Sequence, residues 1–208
     1  MIRKYRSVVL AGFLLFSAGC GNDQYSAERQ YWLAQKNADT IFDNPYASPP
    51  RQLERAVEIF NKFASSHPGT ALAAGADLTI ARLYMVKEEY VKAIQKLNEI
   101  MKKYRDADEV YAEALFMNGY AYQAQEKWEL ALQEYNKLIR ESPFSLRGLV
   151  MPLYIAQYYK IKYQPDKMIT ALKEAIIYYR GLAQKYSVTL PNRYIAIAEK
   201  MLQDAGVK

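Results

Sequence analysis

One cysteine and one histidine among 208 residues remove most of the chemistry a sequence can carry. Cys20 has no second cysteine to bond, so the fold must be held by its apolar core. His67 likewise lacks a partner to complete a metal site or a nucleophilic set, and its place before Pro68 assigns it to a solvent-exposed turn. With only 9 Gly, no glycine-rich loop cradles a phosphate. The densest acidic group, Asp106, Asp108 and Glu109, fails as a calcium loop, because Tyr111 and Met117 occupy the positions that need Gly and Glu. These acids are expected to stabilise the N-terminus of the following helix instead. No cofactor and no metal are expected, and the chain reads as a non-enzyme.

Charge is also in short supply. The formal net charge is +6, but Arg3, Lys4 and Arg6 lie in the leading segment, and without it 25 basic and 22 acidic residues leave +3. That is too little, and too scattered, for a surface that tracks nucleic-acid phosphates.

What is present begins with that leader. MIRKYR is a positive n-region, and the apolar run from Ser7 to Phe16 is too short for a spanning helix, which needs roughly 20 apolar residues. The combination predicts an export signal. The following Ser17-Ala18-Gly19-Cys20 resembles the lipobox of bacterial lipoproteins, with Ser17 where that motif usually has Leu. The resemblance implies a signal peptide over 1–19, acylation of Cys20 as the new N-terminus, and a lipidated tether over 20–26. Gly21, rather than the Asp that marks inner-membrane retention, implies the outer membrane, with the domain facing the periplasm. An ordinary signal peptide followed by a free Cys is the alternative.

Beyond Tyr25 the apolar positions recur at three- and four-residue spacings, and strand patterns are absent. Breaks fall at Asn44-Pro45 to Pro49-Pro50, His67-Pro68-Gly69, Glu88-Glu89, Arg105-Asp106, Ser142-Pro143, Gln164-Pro165 and Leu190-Pro191. From Ala112 to Ser145 the pattern resembles a tetratricopeptide repeat. With Ala112 as position 1, Leu115, Gly119, Tyr122, Ala131, Tyr135, Leu138 and Pro143 fall at positions 4, 8, 11, 20, 24, 27 and 32. Asn118, at position 7, departs. A copy from Ala74 carries Ile80, Ala81, Tyr84, Ala93, Leu97 and Ile100, with Asp77 replacing the large residue at position 4. A weaker copy from Leu149 carries Ile155, Ala156, Tyr159 and Leu172, with Met168 where a small residue is expected. Ala56, Phe60, Phe63 and Pro68 match the second helix of a first pair, whose first helix is placed at Ser26 to Phe42.

The expectation is therefore all-α: a tetratricopeptide-repeat superhelix, a right-handed α-solenoid of antiparallel helix pairs over 27–208, closed by a capping helix at Asn192 to Asp204. In such arrays the first helix of each pair lines a concave groove. The corresponding positions here are Arg82 and Met85, then Phe116, Tyr120 and Gln123, then Gln157 and Lys160. Leu78 and Leu153 stand open between groove and inter-repeat packing. A protein or peptide partner is expected in the groove, and a membrane through the lipid anchor; nucleic acid is not expected.

A lipobox followed by tandem repeats resembles the lipoprotein subunit of the outer-membrane β-barrel assembly machine. The resemblance is carried by Cys20 and by helical pairs ending at His67-Pro68, Tyr104-Arg105 and Ser142-Pro143. It implies a lipid-anchored periplasmic scaffold in barrel assembly. The alternative is a cell-envelope accessory protein related to peptidoglycan, the Tol-Pal system, or pilus and secretion assemblies.

Overall fold

The structure, a computed structural model, describes residues 25–207; the expected signal peptide over 1–19 and Cys20 lie outside them. Among the described residues every regular element is a helix. The helices are α1 (25–43), α2 (Pro50–Ser66), α3 (Ala71–Val86), α4 (Tyr90–Lys103), α5 (Asp108–Ala124), α6 (Trp128–Glu141), α7 (Leu146–Ile161), α8 (Pro165–Tyr186) and α9 (Asn192–Asp204). Each break expected from Pro, Gly and charge falls between two of them. Tyr25 and Ser26, assigned to the tether, are already helical.

Two compact units divide the chain, and the boundary between Lys96 and Leu97 lies inside α4. In the first, Ala34, Ala38 and Ile41 of α1 pack with Leu53, Ala56, Phe60 and Phe63 of α2 and Ala73, Ala76, Ile80 and Leu83 of α3. The small residues on α1 let helices approach, and the two phenylalanines fill the space beside them. His67 is not an exposed turn residue. It is half-buried, its ring stacks on Phe63 at 4.4 Å, and its Nδ1 lies 3.0 Å from the Phe63 carbonyl oxygen. Asp77, the departure at position 4, is buried and accounted for by an ion pair with Lys96 Nζ at 2.6 Å.

In the second unit α5 packs on α6, α7 on α8, and α9 on both α7 and α8. A Cβ on Gly119 would lie 2.4 Å from the Tyr135 ring, so position 8 has to be glycine for α5 and α6 to meet at this distance. Tyr135 is fully buried. Asn118 is also buried, and its Oδ1 has no hydrogen-bond partner among the described residues. Met168, in place of a small residue, packs with Ala156, Leu172, Ile176 and Ala198 beneath the terminal helix. α8 runs for 22 residues against 14 in α6, and Tyr179 on its added turns donates to the Leu149 carbonyl at 2.6 Å.

Turns repeat as faithfully as helices. At Glu88, Glu126 and Tyr163 the backbone is left-handed, with φ of 61, 62 and 55. Each N–H bonds back to Met85, Gln123 or Lys160, and the next N–H to Tyr84, Tyr122 or Tyr159. This double bond pattern is the Schellman motif, which satisfies carbonyls a helix end would leave open. Between pairs, Thr70 and Ser145 play one role. Each hydroxyl donates to a carbonyl three residues back (His67, Ser142; 2.8 Å) and accepts the N–H three residues on (Ala73 at 3.1 Å, Gly148 at 3.0 Å). Both side chains therefore terminate one helix pair and cap the next.

Candidate partner-binding surface

The expected groove residues fall in both units. Arg82 and Met85 lie on α3 in the first, where Arg82 is exposed and Met85 half-buried. Phe116, Tyr120 and Gln123 on α5, and Gln157 and Lys160 on α7, belong to the second. Leu78 is buried, and Leu153 packs against the core beneath α9, so both serve packing.

The α5 residues form a connected strip. Phe116, half-buried, meets Tyr154 edge-on at 6.0 Å, Tyr135 face-on at 6.3 Å and Tyr120 at 6.4 Å. The Arg147 guanidinium lies 3.9 Å above its ring. Arg147 is held there by Glu113, with Nε donating to Oε2 at 2.6 Å and a terminal N–H donating to Oε1 at 3.2 Å. Cation–π attraction and a two-point ion pair thus fix one end of the strip. At the other end, Gln123 Oε1 accepts the hydroxyls of both Tyr135 (3.0 Å) and Tyr154 (3.2 Å). Gln123 is therefore a brace as much as a surface group. Burial pushes the Tyr135 phenol well above its ordinary range, so it is a permanent donor here.

Tyr120 is the large side chain of the strip that water reaches most, at 44% exposure. Gln157 and Lys160 are exposed on α7, and Ile161 and Tyr163 continue the exposed surface beyond them. The arrangement offers an aromatic shelf with amide and ammonium groups at its edge, suited to a side chain or backbone segment of another protein. Sequence reasoning missed Arg147, Tyr154, Tyr158 and Trp128. Trp128 stacks on Tyr158 at 3.5 Å and donates its indole N–H to Tyr159 at 3.2 Å. The i, i+4 spacing of Tyr154 and Tyr158 was the available signal.

Two further features lie in the second unit. Tyr111 donates to Glu141 at 2.6 Å, Arg105 donates to Tyr111, and Arg105 pairs with Glu141 at 2.8 Å. Burial, then the hydrogen bond to Glu141, pushes the Tyr111 phenol up to about 12. Burial of the Glu141 carboxyl opposes its ionisation, but the Tyr111 hydrogen bond and the Arg105 charge outweigh it and lower its pKa. These three groups tie the loop before α5 to the end of α6. Glu109, expected to serve the start of α5, also accepts the N–H of Leu146, the first residue of α7. A cleft of ≈ 480 Å³ lies among α6, α7 and α8, lined by Leu132, Ile139, Pro152, Ile155, Thr170 and Glu174 among others. Among the described residues no three acidic, His or Cys side chains gather in a way that could hold a metal ion. No described helix is long and apolar enough to cross a membrane.

Residues 113–145 match the tetratricopeptide repeat family. These residues span most of α5, all of α6 and the turn to α7. No curated protein matches the chain. Among solved structures it is similar to a crystal structure from Podosopora anserina, described as a kinesin light chain with nearly identical tetratricopeptide-like repeats. The identity is 15%, with 86% of this chain and 92% of that chain covered and a TM-score of 0.48.

Proposed function

We propose that this chain is a protein–protein interaction scaffold, anchored by lipid at Cys20 to the periplasmic face of a bacterial outer membrane and working there in β-barrel protein assembly. The observation that carries the scaffold reading is the aromatic strip on α5 and α7: Phe116 clamped between Arg147 and Tyr154, with Tyr120 presented to solvent. Such a surface is rigid before a partner arrives, so little side-chain freedom is lost on binding. The tetratricopeptide match, which takes in the α5 side of the strip and α6 behind it, supports a binding role, because that repeat is a surface-presenting unit without chemistry of its own. The location rests on the resemblance of Ser17 to Cys20 to a lipobox.

Affinity capture with the full chain from solubilised bacterial envelopes tests both parts. Barrel-assembly proteins are expected among the captured partners, and Tyr120→Ala should weaken capture about tenfold, or about 1.4 kcal/mol. Capture indifferent to Tyr120 would mean that the partner uses another surface. Retention of peptidoglycan or pilin with no barrel-assembly protein would sink the assembly role and favour the cell-wall alternative.

A further inference from the structure

The outward face of α1 is unusual for a helix whose other side is core. Ala27, Ala34, Ala38 and Ile41 are buried. Directly opposite them, at helical spacing, stand Tyr25 at 70% exposure, Arg29, Trp32 at 54% and Lys36, with Leu33 at 46% beside them. The Lys36 ammonium lies 4.3 Å from the centre of the Trp32 ring. Large aromatics left in water on a helix of this kind point to a surface they normally cover.

Three observations identify the occupant. Tyr and Trp combine an apolar body with a polar edge and are enriched where a bilayer meets water. Arg29 and Lys36 share their face and match anionic phosphates. The face is also polarised: aromatics and cations stand along its first three turns, with the acidic Glu28 at its flank, while Asp39 and Asp43 follow on the same side toward the end of α1. The aromatic and basic half is thus the half next to Cys20. Four residues separate Cys20 from Tyr25, so their Cα atoms, five steps apart, can be at most about 18 Å from each other.

We propose that the first three turns of α1 lie against an anionic phospholipid surface, with Tyr25 and Trp32 at headgroup level and Arg29 and Lys36 on lipid phosphates. The proposal rests on the anchor reading of Cys20. Lipid anchorage alone would leave the folded units free to swing; this contact orients the first unit on the membrane.

The test uses the full chain, processed and purified from bacterial envelopes, in vesicles of phosphatidylcholine with or without phosphatidylglycerol, the acyl chains brominated or not. Tryptophan emission is expected to be quenched by the brominated lipids, most strongly with phosphatidylglycerol. Trp32→Phe should abolish the quenching, because the remaining indole, Trp128, is stacked on Tyr158 inside the second unit. Arg29→Glu with Lys36→Glu should reduce it to the level in pure phosphatidylcholine. Both positions are exposed, so an unchanged melting temperature is the control for folding. Emission indifferent to bromine, quenching equal in the two lipid mixtures, or shielding of Trp32 only when envelope proteins are added would each overturn the proposal. Mass spectrometry of the N-terminal peptide reads the anchor separately. An unmodified Cys20 sinks the anchor reading, whereas an acylated chain with unquenched Trp32 sinks the membrane contact alone.

Discussion

Replacing Gly119 by Ala is the sharpest probe of how α5 and α6 meet. The added methyl would lie 2.4 Å from Tyr135 Cε1, 2.7 Å from Cδ1 and 3.0 Å from Cζ. Carbon atoms pack at about 3.5–4.0 Å, so the ring would have to retreat by roughly 1 Å. It has nowhere to go: Tyr135 is fully buried, with Tyr154 at 5.5 Å, Trp128 at 6.0 Å and Phe116 at 6.3 Å, and its hydroxyl is held by Gln123. Overpacking of this kind costs about 1–3 kcal/mol, offset by the roughly 0.5–1 kcal/mol gained when glycine leaves a helix. With the ring confined on every side the cost falls in the upper half of that range, so the net expectation is a loss of about 1–2 kcal/mol, or roughly 2–8 °C in Tm for a chain of this size. Gly181, inside α8, supplies the opposite sign, since a Cβ there meets nothing within 4 Å. Gly181→Ala should therefore raise stability by about 0.5–1 kcal/mol. Urea unfolding followed by circular dichroism measures both. In a Tyr135→Leu background the penalty at Gly119 should shrink, a coupling that a double-mutant cycle reads directly. A Gly119→Ala protein as stable as the parent would refute the close approach, and with it the register that places Gly119 at the contact.

The remaining predictions concern charge. Lys96→Met should destabilise, by up to about 3–5 kcal/mol, because it removes the ion-pair partner of the buried Asp77 carboxylate, whereas Asp77→Leu with Lys96→Met should recover part or all of that loss; denaturant titration of the four proteins decides. In alkali, the Tyr111 and Tyr178 phenols have pKa values raised from 10.0 to about 12, chiefly by burial, and burial drives those of Tyr135 and Tyr179 higher still. Their unfolded forms release protons first, so the stability they contribute is complete below pH 10 and is lost as pH rises toward 12. Phenolate absorbance should then show these groups ionising together with the loss of helix, and ionisation well before unfolding would contradict their burial.

The helix pairs were legible because glycine, alanine and aromatic residues recur at fixed offsets, and those offsets are what two closely packed helices require. Ala56, Phe60 and Phe63 announced α2 as a second helix of a pair, and all three are buried. The binding surface was less legible. Position within a repeat marks Phe116 and Gln123 as outward-facing, but in the folded chain Gln123 is occupied by two tyrosine hydroxyls, and Arg147, from a different helix, covers Phe116. Long-range partners of this sort leave no trace in spacing. His67 illustrates the same limit: a turn position predicts exposure, yet the ring finds Phe63 one helical turn back.

The turn inside each pair shows why one break escaped notice altogether. Gln125 to Lys127 contains neither Gly nor Pro, the residues that usually punctuate a helix. Even so, Glu126 adopts the left-handed conformation, as do Glu88 and Tyr163 at the corresponding place, position 15, in the neighbouring copies. A non-glycine residue there costs roughly 1–2 kcal/mol in backbone strain. α9 ends in the same double hydrogen bond with Gly206 in that role, at φ 77, where the strain does not arise. The strain at the three internal turns is sustained by what surrounds it. The carbonyl that accepts the closing bond belongs in every case to the aromatic residue of position 11, Tyr84, Tyr122 or Tyr159, and the chain must reverse within three residues for the second helix to reach the first. Packing between helices therefore dictates the turn, and the turn residue accommodates. That order of causes is why helix periodicity predicts this fold better than local turn chemistry does.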